Sequence, residues 1–190
     1  ECDKVVKYVD IPLQHINDRI LKAMARRVTR AHTEKLIHRL RKRIPGVAIR
    51  TTFITGFPGE TDVEFEELLA FVRDARFSAV GVFPYSLEPD TPAGRMKYQI
   101  PESIRQQRAD ALLEAQQAIA FAEAHQRIGR RFEVLIDAQA DPRRFVGRHA
   151  GQAPEVDALT YVLGDRLKIG SFIRVRCVDT QDYDLIARST

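Results

Sequence analysis

Two hydrophobic periods alternate along the first half of the chain. Short apolar runs that suit strands are followed by longer stretches in which apolar residues recur every three or four positions, the spacing of a helix. The strand runs cover residues 4–12, 47–55 and 78–83, and the helical stretches lie between them. Strands that alternate with helices predict right-handed βαβ units around a parallel sheet, so we expect an α/β fold here.

Polar residues in front of the helical stretches predict where the helices begin. Asn17 or Asp18 can cap a short first helix, and Thr29 can cap the next one. Thr61 is followed three positions later by Glu64, which predicts a capping box at the helix after the second strand. We expect that third helix to span residues 62–76.

The pattern becomes all-β in the last third of the chain. An irregular connection over residues 86–100 leads to Pro101, which fits the first turn of a long helix that reaches about Ile128, and Gly129 is a natural stop. The runs that then suit strands are 132–137, 144–147, 157–163, 171–178 and 183–189. Five short strands over about 60 residues predict a small OB-like barrel. We therefore predict three regions: residues 1–100, a connecting helix over 101–129, and a β-barrel over 130–190.

Candidate ligand-binding residues lie where the predicted strands end. Gln14 and His15 follow the first strand, residues 54–60 end the second, and residues 83–85 end the third. Ligands of parallel sheets bind at the carboxyl ends of the strands. We therefore expect a ligand at this edge of the sheet, whatever its identity. His15 is open to two interpretations, as a pocket residue or as a turn residue that hydrogen-bonds locally.

The loop after the second strand, Ile54-Thr55-Gly56-Phe57-Pro58-Gly59-Glu60-Thr61, is the most informative stretch of the sequence. Gly56 and Gly59 allow backbone angles that are closed to other residues, and Pro58 stiffens the turn. We expect free amides and open space at both glycines, so that a flat or anionic ligand can approach the backbone. Glu60 either belongs to this site or favours the positive N-terminus of the following helix, and the sequence leaves both roles open.

One face of the second strand is expected to line the interior of the domain. Arg50, Thr52 and Ile54 alternate and so share that face. The opposite face is apolar enough to lie under helices, since it carries Val47, Ile49, Thr51 and Phe53. Arg50 could then bind a carboxylate and Ile54 could lie against an adenine; the alternative places Arg50 on a solvated edge. The third strand presents Ala79, Gly81 and Phe83 on one face, and the two small residues leave room for a cofactor.

Composition adds constraints through the cysteines and the charge. The chain has only two cysteines, Cys2 and Cys177, which are too few for a disulfide framework, and no residues have the spacing of a metal site. No apolar run approaches the length of a membrane span, and no signal peptide is visible, as expected of a cytoplasmic protein or an internal fragment. The formal net charge of +4 permits binding to nucleic acid or to a ribosome without requiring it.

Several separated motifs, taken in order, resemble those of one enzyme family. They are Tyr8-Val9-Asp10-Ile11-Pro12-Leu13-Gln14-His15, Arg50-Thr51-Thr52-Phe53-Ile54, the loop from Gly56 to Glu60, and Val82-Phe83-Pro84-Tyr85-Ser86. Together they resemble the radical S-adenosylmethionine (SAM) methylthiotransferases, and most closely the RimO family. The resemblance runs over nearly the whole chain. It implies the C-terminal half of a radical SAM partial (βα) barrel, followed by a TRAM domain that docks substrates.

The resemblance also implies a reaction and its cofactors. RimO enzymes attach a methylthio group to the β-carbon of an aspartate in a small-subunit ribosomal protein, with SAM and two [4Fe–4S] clusters as cofactors. The resemblance implies that Gln14, Arg50, Ile54 and Phe83 contribute to the SAM or substrate pocket. Gly56 and Glu60 of the similar loop complete the candidate cofactor-binding residues. The cluster-binding cysteines of the family, a CxxxCxxC motif and three N-terminal cysteines, are absent from this sequence. We therefore interpret the chain as the C-terminal part of a longer enzyme, which by itself should not catalyse the radical reaction.

The substrate branch is predicted from the second strand and from charge. The tRNA-modifying branch usually has an aspartate at the position of Thr52, so this stretch resembles the ribosomal-protein branch. From Arg130 onward, 10 Lys and Arg against 9 Asp and Glu give 10 − 9 = +1, less basic than expected of a tRNA-binding face. The acidic residues that would suit a basic ribosomal protein are Glu155, Asp157, Asp182 and Asp184. Two alternatives stay open: a tRNA methylthiotransferase, and a non-catalytic RNA- or ribosome-binding module.

Overall fold

The computed structural model describes residues 4–190, and Cys2 lies outside this range. Its elements are, in order, β1 (Tyr8–Gln14), α1 (Asp18–Ala23), α2 (Arg30–Arg43), β2 (Ala48–Thr55), α3 (Asp62–Ala75), β3 (Ala79–Pro84), α4 (Glu102–His125), β4 (Arg131–Asp141), β5 (Arg144–Arg148), β6 (Thr160–Leu163), β7 (Phe172–Gln181) and β8 (Asp184–Ser189). They form two compact units. The first unit is Val9–Gln116, and the second contains Gln117–Thr190 together with residues 4–8, so the division falls inside α4.

The first unit is built on a three-stranded sheet in the order β1-β2-β3. β2 and β3 are parallel, which confirms the predicted α/β arrangement of alternating strands and helices. The first strand begins at Tyr8, later than the predicted start at residue 4. The apolar residues before it have no core to pack against, since Val5 and Val6 are 70% and 57% exposed.

Helices cover one face of this sheet. Ile49 and Phe53 of β2 are 2% and 0% exposed and belong to one apolar core with Leu68 of α3 and Leu112 of α4. Each such buried side chain contributes about 1.5–3 kcal/mol to folding. The apolar face of β2 therefore lies under helices as predicted, and the face that carries Arg50 is turned away from this core.

The predicted helix starts are confirmed. Asn17, rather than Asp18, caps α1 by accepting two backbone N–H groups, and Thr29 caps α2. Thr61 and Glu64 form both halves of a capping box at the start of α3. Such caps satisfy amides that a helix leaves unpaired, and each typically contributes about 1 kcal/mol.

One member of the basic stretch that ends α2 has a structural role that the sequence did not predict. Arg41 donates hydrogen bonds to the carbonyls of Ala75 and Arg76, where α3 ends. Arg76 itself adopts a left-handed backbone with φ of 46°. The side chain of Arg41 therefore satisfies carbonyl groups that the end of α3 leaves unpaired.

The second unit contains a closed five-stranded barrel in the order β4-β5-β6-β8-β7, which confirms the predicted small barrel. Its core is formed by Val134, Ile136, Phe145, Val162, Val175 and Ala187. β6 starts at Thr160 rather than at residue 157. In the segment before it, Ala153 N–H donates to the Asp157 side chain and Leu159 N–H donates to the Asp184 side chain, while the Leu159 carbonyl accepts from the Leu185 N–H of β8 at 3.0 Å.

The long helix α4 ends three residues before its predicted limit, at His125 rather than Ile128. Residues 126–129 form turns, and the Gly129 N–H donates to the Cys177 carbonyl at 2.8 Å. Gly129 has φ of 84°, a backbone conformation that glycine adopts at low cost. Across residues 4–190 no helix, α4 included, has the length and apolar character that crossing a membrane requires.

Candidate functional site

The face of β2 that carries Arg50 is continuous with one face of β3. A Cβ atom placed on Gly81 would lie 3.4 Å from Thr52 Oγ1, 3.6 Å from the Phe83 ring and 3.9 Å from the Arg50 guanidinium. Ile54 lies directly opposite Phe83 in the register of the two strands. The structure therefore brings Arg50, Ile54 and Phe83 to one face, with a glycine between them.

Arg50 is paired with an acid on the neighbouring strand. Its Nη1 donates to Asp10 Oδ2 at 2.7 Å, and its side chain is only 21% exposed, so it does not lie on a solvated edge. The Asp10 side chain is 45% exposed. A half-exposed ion pair adds about 1 kcal/mol or less to stability. Its more important property is that it presents a cation and an anion side by side on this face.

Gln14 ends β1 in an unusual backbone conformation. Its φ is 72°, in the left-handed region that non-glycine residues rarely adopt. Such a conformation costs on the order of 1–3 kcal/mol and is most frequent at ligand sites. Among the described residues, no hydrogen bond joins its side chain to the other predicted site residues.

The loop after β2 does not have the free amides that were predicted. The Gly56 N–H donates to both carboxylate oxygens of Glu60 at 3.1 Å, and the Gly59 N–H donates to the Tyr98 carbonyl at 2.9 Å. The amides of residues 60 and 61 are also hydrogen-bonded within the loop and its cap. Because these donors already have partners, the loop supplies shape rather than a ready anion-binding site.

The space beside Gly56 is filled by α4, which corrects the expectation of open space there. A Cβ atom on Gly56 would lie 2.2 Å from Arg105 Cγ, and the φ of Gly56 is 70°. Arg105 also donates to the Tyr85 carbonyl and accepts a hydrogen bond from Thr55 Oγ1 at its own carbonyl. Glycine is therefore needed at this position because of the close approach of α4 and the positive φ.

The end of β3 carries aromatic groups with an unmet hydrogen bond. Phe83 is 59% exposed, and the Tyr85 ring packs edge-on against Phe57 at 5.4 Å. The Tyr85 hydroxyl is buried and has no hydrogen-bond partner in the described part of the chain. A buried unpaired hydroxyl costs about 1–3 kcal/mol. A polar ligand atom at this strand end would therefore offset that cost.

Glu60 is fully buried and contacts three other segments. Arg108 Nη1 lies 2.7 Å from its Oε1, and His15 Nε2 lies 3.3 Å from its Oε2. Its carboxylate is directed at these groups and at Gly56, not at the amides that begin α3. The sequence left two roles open for Glu60. Its contacts do not support the second role, stabilisation of the N-terminus of α3.

His15 combines a local hydrogen bond with a place in this buried cluster. Its Nδ1 accepts from the Asn17 backbone N–H at 3.0 Å, so in the neutral ring the proton is on Nε2. Nε2 is buried near Glu60, but the geometry does not form an aligned hydrogen bond. His15 is therefore both a turn residue and a neighbour of the carboxylate behind the loop.

Arg108 and Arg105 are neighbours of the candidate site that the sequence did not single out. A signal exists in retrospect, because Arg105, Arg108, Leu112 and Gln116 recur at helical spacing on α4. Leu112 is 0% exposed and Arg108 only 6% exposed. An arginine on the buried stripe of a helix requires a buried acid as its partner.

A second buried acid stabilises the helix that follows the loop. Arg19 donates to both carboxylate oxygens of Glu64 at 2.5 Å, and its Nη2 also donates to the Gly59 carbonyl at 2.7 Å. The hydrogen bonds from Arg19 lower the pKa of Glu64 to about 2. This pair therefore keeps the carboxylate of the capping box ionised and attaches α1 to the loop.

The described residues contain no site for an iron–sulfur cluster. Within residues 4–190, no group of three or more His, Cys, Asp or Glu side chains could hold a metal ion. Cys177 is 1% exposed in a small core with Ala124 and Leu185, and burial raises the pKa of its thiol. A protonated, enclosed thiol is unlike the thiolate ligands that clusters require.

The acidic residues of the barrel that were expected to face a partner are partly used within the fold. Asp157 accepts from the Ala153 N–H at 2.8 Å, and Asp184 accepts from the Leu159 N–H at 2.7 Å. Both carboxylates therefore order the segment before β6, which weakens the charge argument for a basic partner.

The outer face of β4, β7 and β8 instead carries three neighbouring arginines, beside a facing pair of Glu133 and Arg174. Arg131 lies opposite Arg176, and Arg176 lies opposite Arg188; we call these three exposed residues the arginine row. None of the three forms an ion pair with a carboxylate in the described part of the chain. Like charges directly opposite one another destabilise a sheet, and an anionic partner would offset this repulsion.

Comparison with known proteins decides the family. Residues 2–72 match the model of the radical SAM superfamily, and residues 128–189 match the model of the TRAM domain. "Ribosomal protein uS12 methylthiotransferase RimO" of Anaeromyxobacter sp. (strain K) is 46% identical over 187 residues, which are 97% of this chain and 40% of that protein. The protein of the same name from Desulfitobacterium hafniense (strain Y51) is 45% identical over 98% of this chain and 42% of its own length.

The chain belongs to the RimO family of radical SAM methylthiotransferases.

This membership confirms the resemblance drawn from the motifs and the order of a radical SAM region followed by a TRAM domain. The chain spans about 40% of the length of the RimO proteins it matches. Radical SAM proteins as a class use SAM and iron–sulfur clusters. Coproporphyrinogen III oxidase (HemN) from Escherichia coli matches with a TM-score of 0.47 and 18% identity, over 62% of this chain and 27% of that one, a likeness too low to support an inference.

Proposed function

We propose that this chain forms part of an enzyme that methylthiolates the β-carbon of an aspartate in ribosomal protein uS12. The observation that carries the proposal is 46% identity to a RimO protein over 97% of the chain. The cofactors supply the radical chemistry, and the residues of this chain would bind and orient SAM and the aspartate. Because residues 4–190 offer no cluster ligands, we expect the 190-residue chain alone to be inactive.

The face with Arg50 is the proposed SAM site. The amino-acid end of SAM carries a carboxylate and an ammonium group, and the adjacent charges of Arg50 and Asp10 are complementary to such a zwitterion. Gly81 leaves space on the same face, while Ile54 and the exposed Phe83 offer apolar surface for an adenine. These observations support a fit between this face and SAM.

The other predicted site residues are proposed to border the same pocket. Gln14 ends β1 with its left-handed backbone, and Gly56 follows Ile54 by two positions at the end of β2. Glu60 lies behind this edge with its carboxylate already engaged, so we assign it to the support of the pocket rather than to its surface. The residues on the open face, Arg50, Ile54 and Phe83, would then contact the cofactor directly.

We further propose two [4Fe–4S] clusters in the complete enzyme, held by cysteines outside residues 4–190. Regions 1–100, 101–129 and 130–190 would provide part of the radical SAM barrel, a connecting helix and a TRAM-like docking barrel. The docking barrel would bind uS12, and the enzyme would act in the cytoplasm. The five-stranded barrel and its match to the TRAM domain support this assignment.

A second substrate, tRNA, is favoured by the arginine row. Three exposed arginines on adjacent strands form a cationic surface, which suits the phosphates of an RNA better than it suits a basic ribosomal protein. Under this alternative the barrel would dock RNA and the modified atom would belong to a nucleotide. Binding that weakens steeply with salt would support it.

The test begins with the coding sequence upstream of Glu1, which should contain an in-frame CxxxCxxC motif. The protein so defined is purified without oxygen and incubated with SAM, a reductant and either uS12 or tRNA. We expect mass spectrometry to show one methylthio group in place of one hydrogen on an aspartate of uS12. A product on tRNA alone would establish the alternative, and no methylthiolated product on either substrate would refute the enzymatic proposal.

A matched pair of variants tests the SAM site within the same experiment. Arg50→Met removes the Arg50–Asp10 pair and should weaken SAM binding about tenfold or more. Arg30→Met removes the exposed pair between Arg30 and Glu34, which lies elsewhere in the same unit. Equal SAM affinity of both variants would refute the assignment of Arg50.

A further inference from the structure

Glu60 connects three elements at the carboxyl edge of the sheet. Its carboxylate accepts from the Gly56 amide just after β2 and lies 3.3 Å from His15 Nε2 just after β1. Arg108 of α4 donates to Glu60 Oε1 at 2.7 Å and to the Glu60 carbonyl at 3.1 Å. Ile54 of the proposed SAM face lies two residues before Gly56, so this cluster is directly behind the site.

The cluster depends on Arg108, whose positive charge compensates the buried carboxylate of Glu60. The side chains of Glu60 and His15 are 0% exposed, and that of Arg108 is 8% exposed. A carboxylate enclosed without a cation is strongly unfavourable. Within residues 4–190, Arg108 provides the guanidinium that contacts Glu60, and its other terminal nitrogen donates to the exposed Asp62 at 2.6 Å.

We propose that Arg108 is a positioning residue for the SAM site, acting through Glu60 on Gly56 and His15. The inference rests on the proposed function, because it requires SAM to bind at this edge of the sheet. Arg108 and Glu60 are enclosed behind the loop, so their effect on a ligand passes through the backbone that they hold. The left-handed Gln14 lies next to His15, and strained residues of this kind persist only where surrounding contacts fix them.

Loss of Arg108 should therefore displace the ends of two strands at once. Without its cation, the buried Glu60 carboxylate is uncompensated and should move toward other donors or water, which alters its contacts with Gly56 and His15. Loss of an ordinary core residue would instead lower the stability of the unit without moving Gly56 and His15 in particular. This difference allows a positioning role to be separated from a general loss of stability.

The first experiment compares the NMR spectra of the unmodified 190-residue chain with those of Arg108→Gln and Leu112→Ala. Leu112 is the matched control, because it lies one turn further along α4 and is fully buried in the apolar core. In Arg108→Gln we expect the Gly56 amide and His15 ring signals to move, and the Gly56 amide to exchange about tenfold faster. In Leu112→Ala both signals should stay in place. Unmoved Gly56 and His15 signals in Arg108→Gln would overturn the proposal.

The second experiment titrates SAM into the complete enzyme, unmodified and with Arg108→Gln or Leu112→Ala, at a temperature where all three proteins are folded. Misplacement of a binding group by a distant change costs up to about 100-fold, so we expect Arg108→Gln to weaken SAM binding about 10- to 100-fold. Leu112→Ala should bind SAM like the unmodified enzyme, and Arg108→Lys, which keeps the charge, should recover part of the affinity. Equal affinity of Arg108→Gln and Leu112→Ala would overturn the positioning role.

The two experiments separate this inference from the proposed function. If the unmodified complete enzyme does not bind SAM, the proposed SAM site is refuted, and the link from Arg108 to SAM falls with it. The NMR comparison still decides whether Arg108 holds Gly56 and His15 in place. If SAM binds but Arg108→Gln changes neither the spectrum nor the affinity, the SAM site stands and the positioning role is refuted.

Discussion

The buried pair of Arg108 and Glu60 predicts that two substitutions will partly cancel. Arg108→Met leaves the Glu60 carboxylate, 0% exposed, without its cation, and breaking a buried pair in this way costs about 3–5 kcal/mol. Glu60→Gln alone removes the carboxylate but leaves Arg108 and the Gly56 amide with poorer acceptors, at about 1–3 kcal/mol. In the double variant no buried charge is left uncompensated. We therefore expect its loss of stability to be smaller than the sum of the single losses by about 1–3 kcal/mol.

The assay must report on the first unit alone, because two compact units need not unfold together. Hydrogen exchange of core amides such as those of Phe53 and Leu68 gives the free energy of opening for this unit. The exposed Arg30–Glu34 pair is the control, and its double-mutant coupling should be at most about 0.5 kcal/mol. Additive losses for Arg108 and Glu60, within about 0.5 kcal/mol, would refute the charge-compensation argument.

Three further predictions concern acid stability and the loop. Burial lowers the pKa of His149 to about 3 from 6.5, so its contribution to barrel stability is present above pH 6.5 and lost as the pH falls toward 3. Hydrogen exchange of barrel amides should show this loss, and His149→Gln should reduce it. Hydrogen bonding to Arg19 lowers the pKa of Glu64 to about 2 from 4.5, so the first unit should lose that contribution between pH 4.5 and pH 2. Arg19→Met should remove most of this dependence, and an unchanged acid profile would contradict it. Gly56→Ala should cost more than about 1 kcal/mol in urea unfolding, because φ is 70° and a Cβ atom would lie 2.2 Å from Arg105 Cγ; an equally stable variant would contradict both reasons.

The features that were predicted from the sequence depend on residues close to one another in the chain. Thr61 and Glu64 form their capping box over a single turn, and the alternation of Arg50 and Ile54 follows from the two-residue period of a strand. Two hairpins of the barrel, β4–β5 and β7–β8, are likewise joined by two-residue turns. In each case the partners are close enough for the local pattern to specify their geometry.

The features that were missed depend on contacts between distant residues. Arg108 is 48 residues from Glu60, and Arg50 is 40 residues from Asp10. No period or spacing rule relates such pairs, because their distance is set by how α4 and β1 pack on the sheet. The first strand was predicted to begin too early for a similar reason. Val5 and Val6 have the apolar character of strand residues, but they remain exposed and pack against no core.

These contacts change the meaning of the Gly-Phe-Pro-Gly-Glu loop. From the sequence, its glycines suggested an open backbone for a ligand, yet the Gly56 amide is bonded to Glu60 and Arg105 fills the space beside Gly56. Because Glu60 already accepts from the Gly56 amide and Arg105 packs against Gly56, the loop contributes rigidity rather than contacts to a ligand. It holds the end of β2, while the groups able to recognise a zwitterionic ligand, Arg50 and Asp10, lie on the strands themselves. Substitutions in the loop should therefore reduce ligand affinity by moving this face, whereas substitutions on the face should reduce it with the loop unchanged.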